Sequence, residues 1–501
     1  MPPFPGAPAT SDDRLQIENA LPGQRLRVEL QKLSRGAPNP APARARTVQV
    51  IDAGAAPPTP PGACPGSPWA HLPLPLQRQF KQDLAALTIE TAVANLPPPV
   101  RDRLTAATIE PIEASPQSAA YRNKVEFSCG YQRIERIPDP RHPGSGRTMP
   151  EGFDPAVGFH PPGAWQTVRP FDDCPILPSE MIDIRRRLQA VCDLPGRVDN
   201  HRAWCDVGCR RTVMVRGGVG FSGWQVLFTL KTGGDAALQA EAGTQLLDAL
   251  GHLDGLHLHL MPIETGSQAR GDEPLMTLTG AAFQTVQFGA LKLRLRPTSF
   301  FQTNLAAAER LAARLNSWLE PEPAAVLYDL YCGVGTLGLA LAGTAERIAG
   351  LEAVPSAVTD ARENARENGV TQADYTLTAA EGLPGGLWEA ETAAVRRRSV
   401  AVVDPPRAGL HPKALKALCR SELGRILYVA CNPAALARDL VELALAGYRL
   451  ERLAPFDFFP HTPHLEQAAL LRRDGAGAGT ISSDSNSAAR SNLPPSSGDA
   501  G

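Results

Sequence analysis

A cysteine at the end of a short apolar run is the first residue whose type and position could do chemistry. The run is LYVACNPAAL, Leu427 to Leu436, in which Asn432 and Pro433 follow Cys431 directly. A strand that ends in this way presents its last side chain at the edge of a sheet, where open α/β sheets bind their ligands. Taken alone, such a cysteine is more often buried packing than a nucleophile, so the choice between these roles depends on a partner residue.

A carboxylate that could be this partner follows one helix later, in FDFFPHTPHLEQAALL, where Glu466 opens a run that looks like another strand. C5 of uracil is too weak a nucleophile to attack a methyl sulfonium directly. Addition of a thiolate to C6 makes C5 enolate-like, and a base must afterwards remove the C5 proton so that the thiol can leave. Cys431 and Glu466 together therefore fit C5 methylation of a pyrimidine, which needs no metal.

Glycines follow a predicted strand in YDLYCGVGTLGLALA and precede a predicted helix. Gly333 and Gly335 allow a tight turn and a close approach of a ligand to the backbone, and the helix N-terminus supplies free N–H groups. Glu352 ends the next predicted strand and can accept hydrogen bonds from both hydroxyls of a ribose. Because the full G-x-G-x-x-G pattern is missing, the turn favours S-adenosylmethionine over a dinucleotide. A glycine turn used only for packing is the alternative.

The segment VVDPPRAGL contains a third predicted strand that ends in an acid. Two prolines follow Asp404, remove two backbone donors and stiffen the loop, so that the carboxylate is held at a fixed position above the sheet. A rigid turn without a ligand is the alternative. Arg407 either pairs with Asp404 or reaches a phosphate, and the sequence does not decide between the two.

The elements that must position these residues form a repeating pattern from about residue 298 onward. Buried apolar strands alternate there with glycine turns and amphipathic helices, which predicts a doubly wound, Rossmann-like α/β domain. Upstream, alternating RLRVEL and RTVQVIDA predict a small OB-like β-barrel, and mixed helix and strand patterns predict a central α+β domain. The predicted boundaries are a disordered lead at 1–13, a possibly incomplete barrel at 14–60, the central domain at 61–295, the α/β domain at 296–474 and a disordered tail at 475–501.

Composition limits the class of protein. The 501 residues are 43% hydrophobic, carry a formal charge of −2 and include nine cysteines at irregular spacing. We see no apolar run of membrane-spanning length, no secretory signal and no disulfide framework, which together predict a cytoplasmic protein. With so small a net charge, an RNA-binding face must be local. Candidates are Lys292, Arg294 and Arg296 on one strand face, the run Arg185–Arg187, and Arg25, Arg27, Arg44 and Arg46; solvated charge is the alternative for each.

Taken together, these motifs resemble the RNA uracil-5-methyltransferase family, which makes 5-methyluridine in tRNA or 23S rRNA. The resemblance covers roughly residues 15–473 and is specific, because other methyltransferases lack the cysteine–Asn–Pro after the fourth strand. The segments that carry it are SFFQTN, YDLYCGVGTLGLALA, GLEAVPSAVTDARENARENG, DPPRAGL, YVACNPAALARDL and FFPHTPHLE, with YRNKVEFSCG and VGFHPPGAW upstream and ALPGQRLRVEL in the position of a TRAM domain.

The resemblance implies roles for particular residues. Cys431 is expected to be the nucleophile and Glu466 the base, and S-adenosylmethionine the methyl donor. The positions that match cofactor contacts are Gln302, Tyr331, Gly333, Glu352 and Asp404. An amide that satisfies loop backbone and a core aromatic are the alternatives for Gln302 and Tyr331. The expected partner is structured RNA gripped by a TRAM barrel and the central domain, with no membrane and a monomeric enzyme.

The chain also departs from the family. Many rRNA-specific members hold a 4Fe–4S cluster through four cysteines. Here Cys174 matches the fourth and Cys64 one of the first three, while Ser67 stands where a thiol is expected, so we predict no cluster. Cys205 and Cys209 are spaced C-x3-C without a second pair and are interpreted as structural. Thr336 and Ala379 stand at two positions where the family often has polar cofactor contacts.

The sequence therefore predicts an S-adenosylmethionine-dependent 5-methyluridine methyltransferase, with 23S rRNA as the favoured substrate because TRAM-bearing members mostly act there. Three alternatives stay open: a tRNA 5-methyluridine methyltransferase, a non-catalytic RNA-binding or assembly protein on the same fold, and an adenine or guanine N-methyltransferase that uses DPPR as an amine-binding loop. The last would keep its activity in Cys431→Ala.

Overall fold

The chain divides into two compact units in a computed structural model. The first unit comprises the described parts of 1–63, 68–115 and 381–501, and the second comprises 64–67 and the described parts of 116–380. The described residues are 15–18, 25–31, 43–52, 64–138, 148–161, 167–192, 211–231, 236–261, 275–379, 387–388 and 390–474.

The N-terminal part of the first unit contains a small sheet and two helices. Strands β1 (Leu15–Glu18), β2 (Arg25–Gln31) and β3 (Ala43–Asp52) form a three-stranded sheet in the order β1-β3-β2. Helix α1 spans Leu74–Val93, and α2 spans Pro98–Thr105. Pro98 and Pro99 lie in the first turn of α2, where proline is tolerated. Short strands β4 (Thr108–Ile109) and β5 (Glu113–Ala114) follow.

The second unit begins with a six-stranded sheet in the order β11-β10-β9-β8-β6-β7. Helix α3 packs on β7 and on α4, and α4 packs on β10 and β11. The core between them includes Phe127, Val213, Phe228 and Leu258. The elements are β6 (Lys124–Pro138), β7 (Thr148–Gly158), α3 (Ser179–Cys192), β8 (Arg211–Arg216), β9 (Gln225–Lys231), α4 (Ala236–Leu250), β10 (Gly255–Met261) and β11 (Leu275–Gly280).

The rest of the second unit is a hairpin followed by alternating strands and helices. Three parallel strands, in the order β16-β15-β14, have helices between them, as the repeating sequence pattern predicts. The elements are β12 (Gln284–Phe288), β13 (Leu291–Leu295), α5 (Leu305–Leu319), β14 (Ala324–Leu330), α6 (Thr336–Ala340), β15 (Ala345–Glu352), α7 (Pro355–Glu367) and β16 (Ala373–Leu377).

The first unit resumes with four more strands. β17 pairs in parallel with β18, β18 pairs antiparallel with β20, and β20 pairs antiparallel with β19. Because β20 pairs with β18, Glu466 at the start of β20 lies at the end of the sheet where β18 leads into Cys431. The elements are α8 (Ala393–Arg398), β17 (Val400–Val403), α9 (Pro412–Arg420), β18 (Arg425–Ala430), α10 (Pro433–Leu445), β19 (Tyr448–Asp457) and β20 (Glu466–Arg473).

Candidate active site

Cys431 lies directly after β18, at the carboxyl end of a strand that is buried along its whole length. The next residue, Asn432, caps α10, and its side-chain oxygen accepts a hydrogen bond of 3.1 Å from the backbone N–H of Ala434. Pro433 occupies the first helical position, where its missing N–H costs nothing. The chain therefore turns from strand to helix at Cys431, and the cysteine is half-buried rather than part of the core.

Glu466 and Cys431 lie at the same end of the β18–β20 ladder. The last pair of this ladder joins Ala430 to Gln467, and the same antiparallel register continued by one residue would set Cys431 against Glu466. Directly opposite residues of an antiparallel pair have Cβ atoms about 4.5–5.5 Å apart and point to the same face. The strand pairing thus brings together the two residues that the sequence singled out for chemistry.

The environment of Cys431 favours the protonated thiol in the free protein. Burial raises the pKa of Cys431 to about 11, and the charge of Glu466 is the next largest contribution in the same direction. The positive charge of Arg407 lowers the pKa, and Asp404 adds a smaller increase. Because only the thiolate is nucleophilic, attack by Cys431 requires that this proton be lost.

Glu466 is a buried acid with an unused oxygen. It is 4% exposed, and among the described residues its Oε1 has no hydrogen-bond partner. Burial raises the pKa of Glu466 well above its usual range, and the charge of Asp404 acts in the same direction. A buried carboxyl group with a raised pKa and a free oxygen is suited to proton transfer.

Asp404 lies at the end of β17, in the loop 404–410. Its side chain is half-buried. The loop turns at Gly409, which has φ of +84° and whose added Cβ would lie 2.9 Å from Oδ2 of Asp439. A residue with a side chain is excluded there by both conformation and space, so the shape of the loop depends on this glycine.

The loop 458–465, which precedes Glu466, is anchored by helix α1. Asp457 ends β19, is completely buried and accepts a bond of 2.6 Å from Nζ of Lys81. The backbone N–H of His461 donates to Oε1 of Gln77 at 2.7 Å. His461 has a left-handed φ of +65°, a conformation that costs energy in a residue with a side chain. Helix α1 therefore offsets strain in the segment that delivers the candidate base.

Sequence reasoning missed several residues that hold this site together. Asn432, Arg438 and Asp439 bind the loop 404–410, and Lys81 binds Asp457. The Asn-Pro pair was a readable helix-start signal for Asn432. Lys81 left no such signal, because a lysine within an amphipathic helix is usually solvated.

The predicted cofactor turn in the second unit has left-handed backbone. Tyr331, Gly333 and Gly335 have φ of +63°, +56° and +84°. A Cβ on Gly335 would lie 2.7 Å from Oη of Tyr375, whereas one on Gly333 would meet no atom within 4 Å. Gly335 is thus required for packing, while the space over Gly333 is open. An open backbone surface of this kind fits close approach of a ligand.

Glu352 ends β15 beside this turn. Its Oε2 accepts a hydrogen bond of 3.0 Å from the backbone N–H of Gly333, and its Oε1 accepts from the N–H groups of Ala353 and Val354 at 2.8 and 2.9 Å. The β14–β15 register pairs Leu330 with Leu351, so the next residues, Tyr331 and Glu352, are neighbours at the carboxyl ends of the two strands. The second unit therefore brings three of the predicted cofactor positions together.

Gln302 lies in the segment 299–304, which is held at both ends. Ser299 donates to Oδ2 of Asp360 at 2.9 Å, and Asn304 caps α5. Between them, the backbone oxygen of Gln302 accepts a hydrogen bond of 3.0 Å from Nδ2 of Asn123. The backbone of Gln302 is fixed, and its side chain is half-buried.

Some residues considered for phosphate contact have structural partners. Arg296 pairs with Asp360 at 2.8 Å, and the guanidinium of Arg294 stacks 3.6 Å from the ring centroid of Phe283. Arg185 is buried over Phe171. These arginines stabilise the fold. Of the candidates in the predicted barrel, Arg25 and Arg27 lie on β2, and Arg44 and Arg46 lie on β3.

The two cysteines considered for an iron–sulfur cluster lie together in the second unit. The Sγ atoms of Cys64 and Cys174 are 2.6 Å apart, and Oγ of Ser67 lies 3.8 Å from Sγ of Cys174. Two thiols and a hydroxyl do not fit the four-thiolate site of a 4Fe–4S cluster. Cys205 and Cys209 fall outside the described residues.

The described ranges contain neither a metal-binding cluster nor a helix of membrane-spanning character. No group of three or more His, Cys, Asp or Glu side chains in those ranges is arranged to hold a metal ion. Within the same ranges, none of the helices combines the length and the apolar character needed to cross a lipid bilayer.

Comparison with known proteins agrees with this geometry. The model of the tRNA (uracil-5-)-methyltransferase family matches residues 284–474. A protein of Chlorobaculum tepidum described as an uncharacterized RNA methyltransferase is 32% identical over 82% of each chain. Another, from Nitratidesulfovibrio vulgaris, is 30% identical over 91% of this chain and 90% of its own. The tRNA (uracil-54, C5)-methyltransferase of Pyrococcus abyssi, solved in complex with S-adenosyl-L-homocysteine, has a TM-score of 0.60 at 22% identity, covering 93% of this chain and 98% of that one.

The Rossmann-like fold and these relatives define the class as the S-adenosylmethionine-dependent RNA methyltransferases. Within that class, the chain belongs to the RNA (uracil-5-)-methyltransferase family. The predictions of fold class, family and methyl donor are confirmed. The predicted domain boundaries, the TRAM barrel and the roles of individual residues stay predictions.

Proposed function

We propose that the protein methylates C5 of a uridine in structured RNA through a covalent bond between Cys431 and C6 of the base. The observation that carries the proposal is the β18–β20 register, which pairs Ala430 with Gln467, the chain neighbours of Cys431 and Glu466. The charge of Glu466 also helps to raise the pKa of Cys431, which supports the proposal that the two groups act together.

In this mechanism Cys431 acts first. Its thiol first loses its proton to solvent, and the thiolate then forms a bond to C6 while the electrons of the C5–C6 double bond move toward C5 and O4. C5 then has the enolate character that it needs to accept a methyl group. S-adenosylmethionine supplies that group.

Glu466 acts afterwards as the base. Its carboxylate takes the remaining C5 proton, the C5–C6 double bond forms again and the Cys431 sulfur leaves as a thiolate. The raised pKa of Glu466 makes it a stronger base than an exposed glutamate. Asp404 assists by raising that pKa.

The residues proposed to hold the methyl donor fit its chemistry. The carboxylate of Glu352 suits ribose hydroxyls, and the open backbone at Gly333 suits close approach. Tyr331 and Gln302 complete the proposed set in the second unit, and Asp404 belongs to it in the first. These residues orient the donor, and the chemistry of bond exchange lies with Cys431 and Glu466.

The RNA is proposed to be 23S rRNA. The TRAM-like sequence pattern near the N-terminus supports this choice, and the three-stranded sheet β1-β3-β2 lies in that segment. A tRNA is the second candidate, because the family model and the Pyrococcus abyssi relative both carry tRNA in their names. The target base must leave its stack to reach a thiol, at a cost of a few kcal/mol, which favours a loop.

Covalent trapping tests the mechanism. RNA that contains 5-fluorouridine, incubated with S-adenosylmethionine, should form a stable adduct with the wild-type protein and none with Cys431→Ser, because fluorine at C5 cannot be removed as a proton. Cys419→Ser, at a half-buried cysteine of α9, is the matched control and should trap as well as the wild type. An adduct that persists in Cys431→Ser would refute the assignment of the nucleophile.

Mapping distinguishes the two RNA classes. Total RNA from a strain that lacks the protein should lose 5-methyluridine at one or more positions of 23S rRNA and regain it on complementation. Loss confined to tRNA would overturn the rRNA assignment and leave the chemistry in place.

A further inference from the structure

We propose that Arg407 stabilises Cys431 as a reactive thiolate, and that Asn432, Arg438 and Asp439 form a clamp that holds Arg407 in place. The proposal depends on the proposed role of Cys431 as nucleophile. It makes Arg407 a positioning residue that acts through the sulfur, a role different from the Asp404 pair and the phosphate contact considered from the sequence.

The clamp fixes the backbone around Arg407. Nδ2 of Asn432 donates to the backbone oxygen of Arg407 at 2.8 Å. Nη2 of Arg438 donates to the oxygen of Ala408 at 3.0 Å, and the N–H of Leu410 donates to Asp439 at 2.9 Å. Asn432 is the residue next to Cys431, so Arg407 is tied to the immediate neighbour of the proposed nucleophile.

Asp439 is the centre of this clamp. It is completely buried, and its Oδ2 accepts both from Leu410 and, at 2.7 Å, from the hydroxyl of Tyr428. Its Oδ1 accepts from Nε of Arg438 at 2.8 Å. Tyr428 lies on β18, three residues before Cys431. One carboxylate thus joins the loop that carries Arg407, the strand that ends before Cys431 and helix α10.

The charged side chains that affect Cys431 identify Arg407 as the group that can stabilise its thiolate. Three ionisable side chains act on its sulfur: Glu466 from β20, Asp404 from the end of β17, and Arg407. Two of these are acidic and oppose a thiolate, so Arg407 is the cation that favours it. Arg438 is paired with Asp439, whereas the exposed guanidinium of Arg407 has no ion pair among the described residues.

A phosphate contact would be a different role for Arg407, and it separates experimentally from the proposed one. A cation that binds phosphate alters the KM for RNA and has no effect on Cys431 when RNA is absent. A cation that stabilises the thiolate alters the reactivity of Cys431 in the free protein. Alkylation without RNA and without S-adenosylmethionine therefore decides between them.

The experiment measures the rate at which iodoacetamide alkylates Cys431 in the full-length protein between pH 7.5 and 9. The modified tryptic peptide 426–438 is quantified by mass spectrometry, which isolates Cys431 from the other cysteines. The key variants are Arg407→Met and Arg407→Lys, because methionine and lysine have similar bulk and differ in charge. Arg420→Met, at an exposed arginine in α9, is the matched control.

We expect Arg407→Met to react about threefold more slowly than the wild type. A loss of about one pKa unit of stabilisation cuts the thiolate fraction about tenfold. The more basic thiolate is about threefold more nucleophilic, which offsets part of the loss. Arg407→Lys and Arg420→Met should stay within about twofold of the wild type. Equal rates for the Met and Lys variants, or a wild-type rate for Arg407→Met with a raised KM for RNA, would overturn the proposal.

A double-mutant cycle tests the clamp. Asp439→Asn should also slow alkylation, and the combination with Arg407→Met should add little, because both changes act through the same charge. Additive effects in folded protein would show that Asp439 acts independently and would overturn the clamp. Loss of methylation in Cys431→Ser tests the proposed function separately, so the two proposals can fail independently.

Discussion

Two glutamates, one in each unit, lie at the end of a β-strand and differ in burial and hydrogen bonding. Glu352 ends β15 in the second unit, and both of its oxygens accept backbone N–H groups. Glu466 opens β20 in the first unit, is buried, and has an oxygen without a partner among the described residues. The backbone hydrogen bonds of Glu352 fix its position, which fits its proposed role in binding, whereas burial raises the pKa of Glu466, which fits its proposed role in proton transfer. Environment, rather than residue type, distinguishes the two proposed roles.

The largest effect expected from this comparison is on turnover. Glu466→Gln should reduce kcat by about 10²–10⁴-fold, because a positioned general base contributes that much. Since the glutamine cannot remove the C5 proton, the adduct with ordinary uridine RNA should accumulate. Rates of methyl incorporation and a denaturing gel that retains the protein–RNA complex measure both outcomes.

The control for Glu466→Gln is Glu90→Gln, an exposed change on α1 in the same unit. It should leave kcat and the amount of adduct at wild-type levels. If the Glu466→Gln variant kept the wild-type kcat, Glu466 would not be the base. The difference in environment between Glu352 and Glu466 would then not reflect a difference in function.

The next effect concerns what holds Glu466 in place. Asp457→Asn should lower the free energy of unfolding by about 3–5 kcal/mol, because it leaves the buried ammonium of Lys81 without its counter-charge. Urea titration followed by circular dichroism measures the loss. The control is Glu451→Gln, which breaks a partly exposed pair with Arg472 and should cost less than about 1 kcal/mol. Equal costs for the two variants would show that the buried pair does not anchor the loop 458–465.

The difference between these regions also shows what a sequence can reveal. The strand-then-glycine pattern around Gly333 and the spacing to Glu352 are local, so the fold and the cofactor turn could be read from order along the chain. Cys431 and Glu466 could be combined only from the chemistry of their side chains and from the resemblance, because an antiparallel register between separate segments leaves no periodic signal. Lys81 and Asp457 are separated by most of the chain, and burial of a paired lysine depends on tertiary contacts that composition does not encode.

A smaller effect is expected at the binding glutamate. Glu352→Gln should weaken binding of S-adenosylhomocysteine by about tenfold or more, because an amide supplies one acceptor where the carboxylate supplies two. Calorimetry measures the affinity, with Glu346→Gln on the same strand as the control. Glu466→Gln, by contrast, should bind with wild-type affinity. Equal weakening by Glu352→Gln and Glu466→Gln would erase the distinction between a binding and a proton-transfer carboxylate.

The smallest effect is a pH-dependent gain in stability. The pKa of Glu466 is raised in the folded protein, so the unfolded state releases its proton more readily than the folded state does. Its contribution to stability is therefore fully present below the unfolded pKa and is lost as pH rises through the folded pKa. Glu466→Gln removes this loss, so its Tm should exceed that of the wild type at pH 8, and the difference should shrink toward pH 4. Calorimetric scans at the two pH values measure the change, with Glu90→Gln as the control. A constant difference in Tm would mean that the two proteins differ in packing rather than in protonation. The wild type would then lack the stability cost that a buried, reactive carboxylate imposes.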